Sequence, residues 1–471
     1  MSPSTLFDKV WDAHVVERFD DDWALLHIDR HLLHDFSGPS ALAELRSRGR
    51  RVHAPALAFA TPDHLVSSAT DRTIDTNEFG GAMWAAVRDE ADQTGIVTLE
   101  IGGGRQGIVH VTGPEQGIVL PGLTVICCDS HTCTNGALGA LSFGVGSSQI
   151  TQALATQVLL QQRPRQMRIT IDGALGTMVS AKDLALSIIG RFGTSAGAGF
   201  AVEYAGSTID ALDVEARLTL CNLTVELGAK FGMIAPDATT IAWVTGRPYA
   251  PTGDSLAAAV ASWCALYSDD DAVFDREERV DASAIAPTVT WGTSPEHAIP
   301  IDAMIPDPAT AADHTQRTAW QNALDYMGLE AGQPIAGTPV DWVFIGSCAN
   351  SRLSDLRAAA EVVRGARVAA NVTAWVVPGS ELVRAQAEAE GLDAVFQAAG
   401  FEWRQPGCSM CVAANGERVP PRARCVSTSN RNFVGRQGPE ARTHLASPAT
   451  AAAAALSGML IDPRPPRSPR K

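Results

Sequence analysis

An α/β fold built on parallel sheets covered by helices is predicted by three observations. Short β-branched runs alternate with longer helix-compatible runs, most clearly over 340–345, 351–364, 372–377 and 381–390. Chemistry-bearing side chains stand just past the strand-like runs, where open α/β sheets present their ligand sites: Asp63 and His64, then Asp129, Ser130 and His131, then Cys348. The chain has 471 residues, 45% of them apolar and 19% charged, enough for several separate buried cores.

In chain order, residues 23–60 alternate apolar pieces with polar turns and end in Leu57-Ala-Phe-Ala-Thr-Pro-Asp-His64, which sets Asp63 and His64 behind a strand and a proline turn. Residues 106–112 and 122–128 read as strands, rich in β-branched residues and bounded by Gly and Pro. The second runs directly into Asp129-Ser-His-Thr132, an acid, a hydroxyl and an imidazole at a strand-to-helix turn, able to bind an anion and move protons. A helix-like stretch is expected over 137–161, a strand over 167–172, a helix over 181–190 and a strand over 200–204. The next helical run holds Asn222 and Glu226, four apart and so on one face; a carboxylate on an apolar helix is costly unless paired or used. Residues 268–315, rich in Asp, Pro and Thr, read as a connecting region. Near the end, the polar loop 425–438 carries Arg431 and Arg436, each able to clamp a carboxylate. The run 451–455 reads as a core helix, and 463–471 as a disordered basic tail.

The nine cysteines are an odd number, unevenly spread, which argues for metal binding or buried thiols over a disulfide framework. Cys408 and Cys411 lie two residues apart behind a Pro-Gly turn, and Cys348 offers a third sulfur. Three thiolates can hold three corners of an iron-sulfur cube and leave the fourth iron open, although Cys-x-x-Cys also fits zinc ribbons and redox pairs. The formal charge of -15 argues against nucleic acid and anionic membrane surfaces as partners. No signal peptide is expected and no run approaches the roughly 20 apolar residues of a membrane span, so the expected location is cytoplasmic.

Eleven stretches in a fixed order carry a family resemblance: Asp12-Ala-His-Val-Val16, Ile28-Asp-Arg-His31, Phe59-Ala-Thr-Pro-Asp-His64, Gln106-Gly-Ile-Val-His110, Gly113-Pro-Glu-Gln-Gly117, Asp129-Ser-His-Thr132, Leu220-Cys-Asn222, Thr290-Trp-Gly-Thr293, Ile345-Gly-Ser-Cys348, Pro406-Gly-Cys-Ser-Met-Cys411, and Ser429-Asn-Arg-Asn-Phe433 with Gly435-Arg-Gln-Gly438. Together they resemble the aconitase superfamily, and within it the branch that isomerises isopropylmalates. The resemblance implies three α/β/α domains around a cluster cleft, at 1–165, 166–290 and 291–462, with a fourth, swivelling domain on a separate small subunit that supplies a serine base. It implies one 4Fe-4S cluster per chain on Cys348, Cys408 and Cys411, with Asn222 and Asn350 beside it. Asp63 and His64 would protonate a departing hydroxyl. Asp129, His131, His110 and Glu226 would surround the cluster and its bound water, while Ser130, Arg431, Arg436, Asn430 and His34 would contact substrate. The implied activity is conversion of 2-isopropylmalate to 3-isopropylmalate through isopropylmaleate, in leucine biosynthesis. Ala349, Val434, Pro62 and Cys128 depart from the usual pattern of that branch. They keep open a relative acting on another 2-substituted malate, such as methylmalate, homocitrate or a specialised-metabolism analogue.

Overall fold

The computed structural model describes residues 3–20 and 22–465. Three parallel sheets organise the molecule. The first has the strand order Val97–Thr98, Ala58–Thr61, Arg30–His34, Thr124–Cys127, Leu141–Gly144. The second runs Phe231–Met233, Phe200–Ala205, Arg165–Asp172, Arg276–Asp281, and the third Glu402–Trp403, Thr373–Val376, Trp342–Ile345, Arg424–Ser427, Arg442–Leu445. Ala58–Thr61, Thr124–Cys127 and Arg424–Ser427 are buried at every position, which is why they read as continuous apolar runs and not as an alternating pattern. Two small antiparallel sheets complete the set: Val15–Arg18 with Trp23–His27 and Val158–Gln162, and the pair Thr288–Thr290 with Ala298–Pro300.

The first and third sheets each place their earliest strand in the middle and build outward in both directions. The order in which strands are added therefore reverses between the parallel neighbours Arg30–His34 and Thr124–Cys127 in one, and between Trp342–Ile345 and Arg424–Ser427 in the other. Such a switch point opens a crevice at the carboxyl ends of the strands. His34 ends a strand of the first sheet and Asp63 and Asp129 follow two others, while Cys348 and Asn430 follow the two strands that flank the crevice of the third. One apolar core joins the first two sheets through Leu32, Val125, Ile169 and Leu218, and another, with Val343, Ile345, Ala360 and Ala454, fills the third.

Several expected elements differ. Residues 106–112, read as a strand, hold the start of the buried helix Val109–Glu115. Its first turn is fixed from outside: Ile108 N–H donates to Gly379 O at 2.8 Å and Val109 N–H to an Asp63 oxygen at 2.9 Å, so tertiary partners override β propensity. The expected helix over 137–161 resolves into the 3-10 helix Ser130–Leu138, the strand Leu141–Gly144, the helix Ser147–Thr156 and the strand Val158–Gln162. Gly139, at φ +79°, ends the first of these in a left-handed cap. The connecting region 268–315 contains the fourth strand of the second sheet and both strands of the small pair. The expected core helix is present as Pro448–Ser457 with its alanines buried. Residues 466–471 of the expected tail lie outside the described residues; just before them Arg464 pairs with Asp302 at 3.0 Å and with Asp462 at 2.6 Å.

Candidate active site

The acid-base centre comes from three loops of the first sheet. Asp63 is fully buried; one of its oxygens accepts the His64 Nδ1 hydrogen bond and the other the Val109 amide. The far nitrogen of His64, Nε2, lies 3.2 Å from Asp129. Burial opposes a charge on His64, but the charges of Asp63 and Cys408 and the Asp129 hydrogen bond outweigh it, so its pKa stands well above the ordinary imidazole value. His34 stacks on the same ring at 4.3 Å between centroids, while burial and the His64 charge push its own pKa down to about 4. His34 is thus neutral and cannot compete for the proton.

Asp129 caps the 3-10 helix Ser130–Leu138, its carboxylate accepting the His131 amide at 2.6 Å. His131 and His110 stand 3.3 and 3.5 Å from the same oxygen. Burial would raise the Asp129 pKa, but the three imidazoles around it hold it well below the usual carboxylate range. The helix is seated by Gly136, where a Cβ would meet the carbonyl oxygen of Gly232 at 1.8 Å.

A chain of charged and polar side chains continues from His131. Its Nε2 and a Glu226 oxygen are 3.0 Å apart; the same oxygen accepts Arg431 Nε at 2.6 Å, and another Arg431 nitrogen donates to Ser130 Oγ at 2.9 Å. Asn222 and Glu226 do not share one α-helical face as expected: the α-helix Val214–Asn222 gives way at Asn222 to the 3-10 helix Leu223–Leu227, which aims Asn222 at a thiol and Glu226 at the arginine. Arg436 is apart from these side chains. Its guanidinium lies 5.5 Å over the Phe433 ring, and its buried Nε has no hydrogen-bond partner among the described residues.

The three thiols converge on the same crevice and are all buried. Asn430 holds two of them, its Oδ1 3.2 Å from Cys411 Sγ and its Nδ2 3.5 Å from Cys348 Sγ; Asn222 Nδ2 donates to Cys348 Sγ at 3.2 Å. Cys408 is tied to the acid-base loop, its amide donating to Asp63 O at 2.8 Å and its sulfur close enough to His64 for each group to shift the other's titration. Burial pushes the Cys348 thiol up to about 12, with the neighbouring Cys411 adding to it, and pushes Cys408 well above its ordinary value. Cys348 and Cys408, so placed, ionise only when a cation compensates the charge, and three thiols gathered in one crevice, with two amide donors on Cys348 Sγ, fit an iron-sulfur cluster. Asn350, two residues past Cys348 in the chain, leaves its Oδ1 buried without a partner among the described residues. Cys425 is separate, buried in the strand Arg424–Ser427 with its sulfur toward Val426 O at 3.6 Å.

Some residues of the site carried no signal in the sequence. Asp35, fully buried, accepts the amides of His64 and Leu65 at 3.0 and 2.9 Å and so fixes the direction of the dyad loop. Arg352 donates to the carbonyls of Cys348 at 2.9 Å and His110 at 3.1 Å, joining the cysteine loop to the first sheet. Lys182, 0% exposed, donates to the carbonyls of Thr428 and Ser429 just before Asn430. An acid directly after His34 was the one visible hint; Lys182 acts on backbone atoms over 240 residues away, and Arg352 reaches both the nearby Cys348 carbonyl and the distant one of His110.

Comparison with known proteins finds a family and a relative that span nearly the whole chain. The model of the aconitase family (aconitate hydratase) matches residues 8–458. A 3-isopropylmalate dehydratase large subunit 1 from Bradyrhizobium diazoefficiens is 60% identical over 462 residues, covering 98% of this chain and 96% of the relative. Among solved structures, the holo-form of aconitase X from Thermococcus kodakaraensis matches with a TM-score of 0.44 and 12% identity, covering 91% of this chain and 90% of that one.

Proposed function

The chain belongs to the aconitase family, and on that premise we propose that it is the cluster-bearing large subunit of a 3-isopropylmalate dehydratase. It is a hydro-lyase that isomerises 2-isopropylmalate to 3-isopropylmalate through isopropylmaleate, in leucine biosynthesis. The observation that carries the reading is Cys408: its sulfur faces His64 while its two partner cysteines are held by Asn430, the residue next to Arg431. Metal ligands, proton donor and anion-binding arginine thus belong to one crevice.

A 4Fe-4S cluster held by Cys348, Cys408 and Cys411, with one iron open, would supply Lewis acidity toward the leaving hydroxyl. The remaining chemistry falls to side chains of this chain. His64, charged at neutral pH between Asp63 and Asp129, is in the state needed to give a proton to the departing oxygen. Asp63 is held to two donors and stays ionised, so it orients His64 without giving up a proton itself. Asp129, His131, His110 and Glu226 line the place where the released water is held. Arg431 and Ser130 bind one substrate carboxylate, Glu226 fixing the guanidinium in plane, and Arg436 is available for the second. Asn430 and His34 contact substrate, and Asn222 and Asn350 support the cluster.

The relative's name, a large subunit, supports a small-subunit partner, and we propose that this partner carries a mobile domain and a serine taking the carbon-bound proton. We place the enzyme in the cytoplasm and retain three domains at 1–165, 166–290 and 291–462. A second substrate, another 2-substituted malate, is favoured by Val434, an apolar side chain 58% exposed in the arginine loop. An anaerobic assay of the reconstituted chain, alone and mixed with its small subunit, decides between these substrates by following the absorbance of the unsaturated intermediate. Turnover of 2-isopropylmalate only by the mixture is the expected result. Turnover of citramalate or homocitrate in its place would change the substrate, and no turnover of any malate would overturn the reaction.

A further inference from the structure

We infer that Glu417 is a positioning residue that locks the cysteine turn 408–411 to the loop carrying Asp63 and His64; the inference rests on the functional reading above. Glu417 lies six residues past Cys411, outside every motif, with its side chain only 11% exposed. Its carboxylate collects five donors. One oxygen accepts Ser67 Oγ at 3.0 Å, the Ser68 amide at 2.7 Å and an Arg404 nitrogen at 3.1 Å. The other accepts the hydroxyls of Ser68 and Ser409, both at 2.6 Å. Ser67 and Ser68 belong to the loop that begins at Asp63, and Ser409 stands between the two cysteines. Asn415 repeats the tie, its Nδ2 donating to Val66 O at 2.9 Å.

The turn needs this clamp because its backbone is strained. Ser409 is fully buried and holds φ at +48°, a left-handed conformation that costs a residue with a Cβ about 1 kcal/mol or more and persists only where surroundings impose it. The Ser409 hydroxyl has two partners, the Glu417 carboxylate at 2.6 Å and Ser68 Oγ at 3.1 Å, and Glu417 holds both hydroxyls, so the carboxylate fixes the residue between Cys408 and Cys411. Only an ionised carboxylate suits the position, since it accepts at both oxygens and donates nothing. A glutamine would turn an N–H toward hydroxyls that must themselves donate. The arrangement also explains Arg404, stacked 3.6 Å over Trp375 with its Nε on Ser68 Oγ at 2.8 Å: it neutralises Glu417 without touching the cysteines. Glu402, 53% exposed, pairs with the same guanidinium at 2.8 Å but contacts neither Ser68 nor Ser409, and so serves as the control for charge alone.

The test compares anaerobically reconstituted wild type, Glu417→Gln, Ser409→Ala and Glu402→Gln, reading visible cluster absorbance and iron release to a chelator, with circular dichroism to confirm folding. Glu417→Gln is expected to release iron roughly tenfold or more faster than wild type, the scale on which supporting residues act on metal sites. Ser409→Ala is expected to move in the same direction, Glu402→Gln to match wild type, and Glu417→Asp to recover part of the retention. Wild-type release rates in Glu417→Gln, or equal losses in Glu417→Gln and Glu402→Gln, overturn the inference. If Glu417→Gln fails to fold, Ser409→Ala decides alone: wild-type retention there overturns the clamp. A wild-type chain that takes up no iron and sulfide overturns the functional reading together with the clamp, whereas a loaded wild type with an unresponsive Glu417→Gln overturns the clamp only.

Discussion

Cys408 makes two contacts that its partner cysteines lack, a hydrogen bond from its amide N–H to Asp63 O and a sulfur beside His64, so losing its thiolate is expected to disturb both cluster retention and the proton donor. Replacement of Cys348, Cys408 or Cys411 by Ser is expected to abolish the visible cluster absorbance. Cys425→Ser, in a strand and turned toward Val426 O, is expected to keep it. Loss of the cluster in Cys425→Ser would break the ligand assignment. Arg431 offers a sharper case, because it spends one nitrogen on Glu226 and another on Ser130, a fork that lysine cannot reproduce. With charge-assisted hydrogen bonds worth about 1.5–3 kcal/mol, Arg431→Lys is expected to lower kcat/KM by roughly 10- to 100-fold. Unchanged steady-state kinetics would remove Arg431 from the substrate site.

The helix Val109–Glu115 carries a titration of its own. Burial pushes Glu115 from 4.5 up to about 7, only partly offset by the hydrogen bond from Ser380 and the charge of Arg247. A folded-state pKa above the unfolded one means that this contribution to stability is fully present below pH 4.5 and is lost as pH rises to about 7. Glu115→Gln is therefore expected to flatten the pH dependence of thermal unfolding over that window, by up to about 3 kcal/mol relative to wild type. Parallel pH profiles for the two proteins would contradict the assignment. The same helix marks where the sequence was hard to read. Its Ile-Val-His-Val-Thr run has strand propensity, and the amide partners that make it a helix, Asp63 and Gly379, are distant along the chain. Strands that end at the site were legible because their polar residues sit within a few positions of an apolar run, as with Asp129 and Cys348. Lys182, Arg352 and Glu417 were not legible, and Asp35 barely so, since each acts on backbone or hydroxyl groups of a segment that only the finished fold brings close.

Across the whole molecule, the two switch-point crevices share one site, so the acid-base loops of the first sheet and the cysteine and arginine loops of the third must be held together. Arg352, Glu417 and the Cys408 amide make those connections. The chain's charge of -15 leaves no general attraction for nucleic acid, and an RNA titration is expected to show no salt-dependent binding at physiological ionic strength. Among the described residues no helix is long and apolar enough to cross a membrane. The central claim is that three thiols of this chain hold a cluster with one open iron facing the acid-base centre. Mössbauer spectroscopy of the chain reconstituted with isotopically enriched iron tests it most directly. The account predicts iron in a three-to-one ratio, with the minor component shifting when 2-isopropylmalate is added to the complex with the small subunit. Four equivalent irons unresponsive to substrate, or iron bound as a single ion, would contradict it.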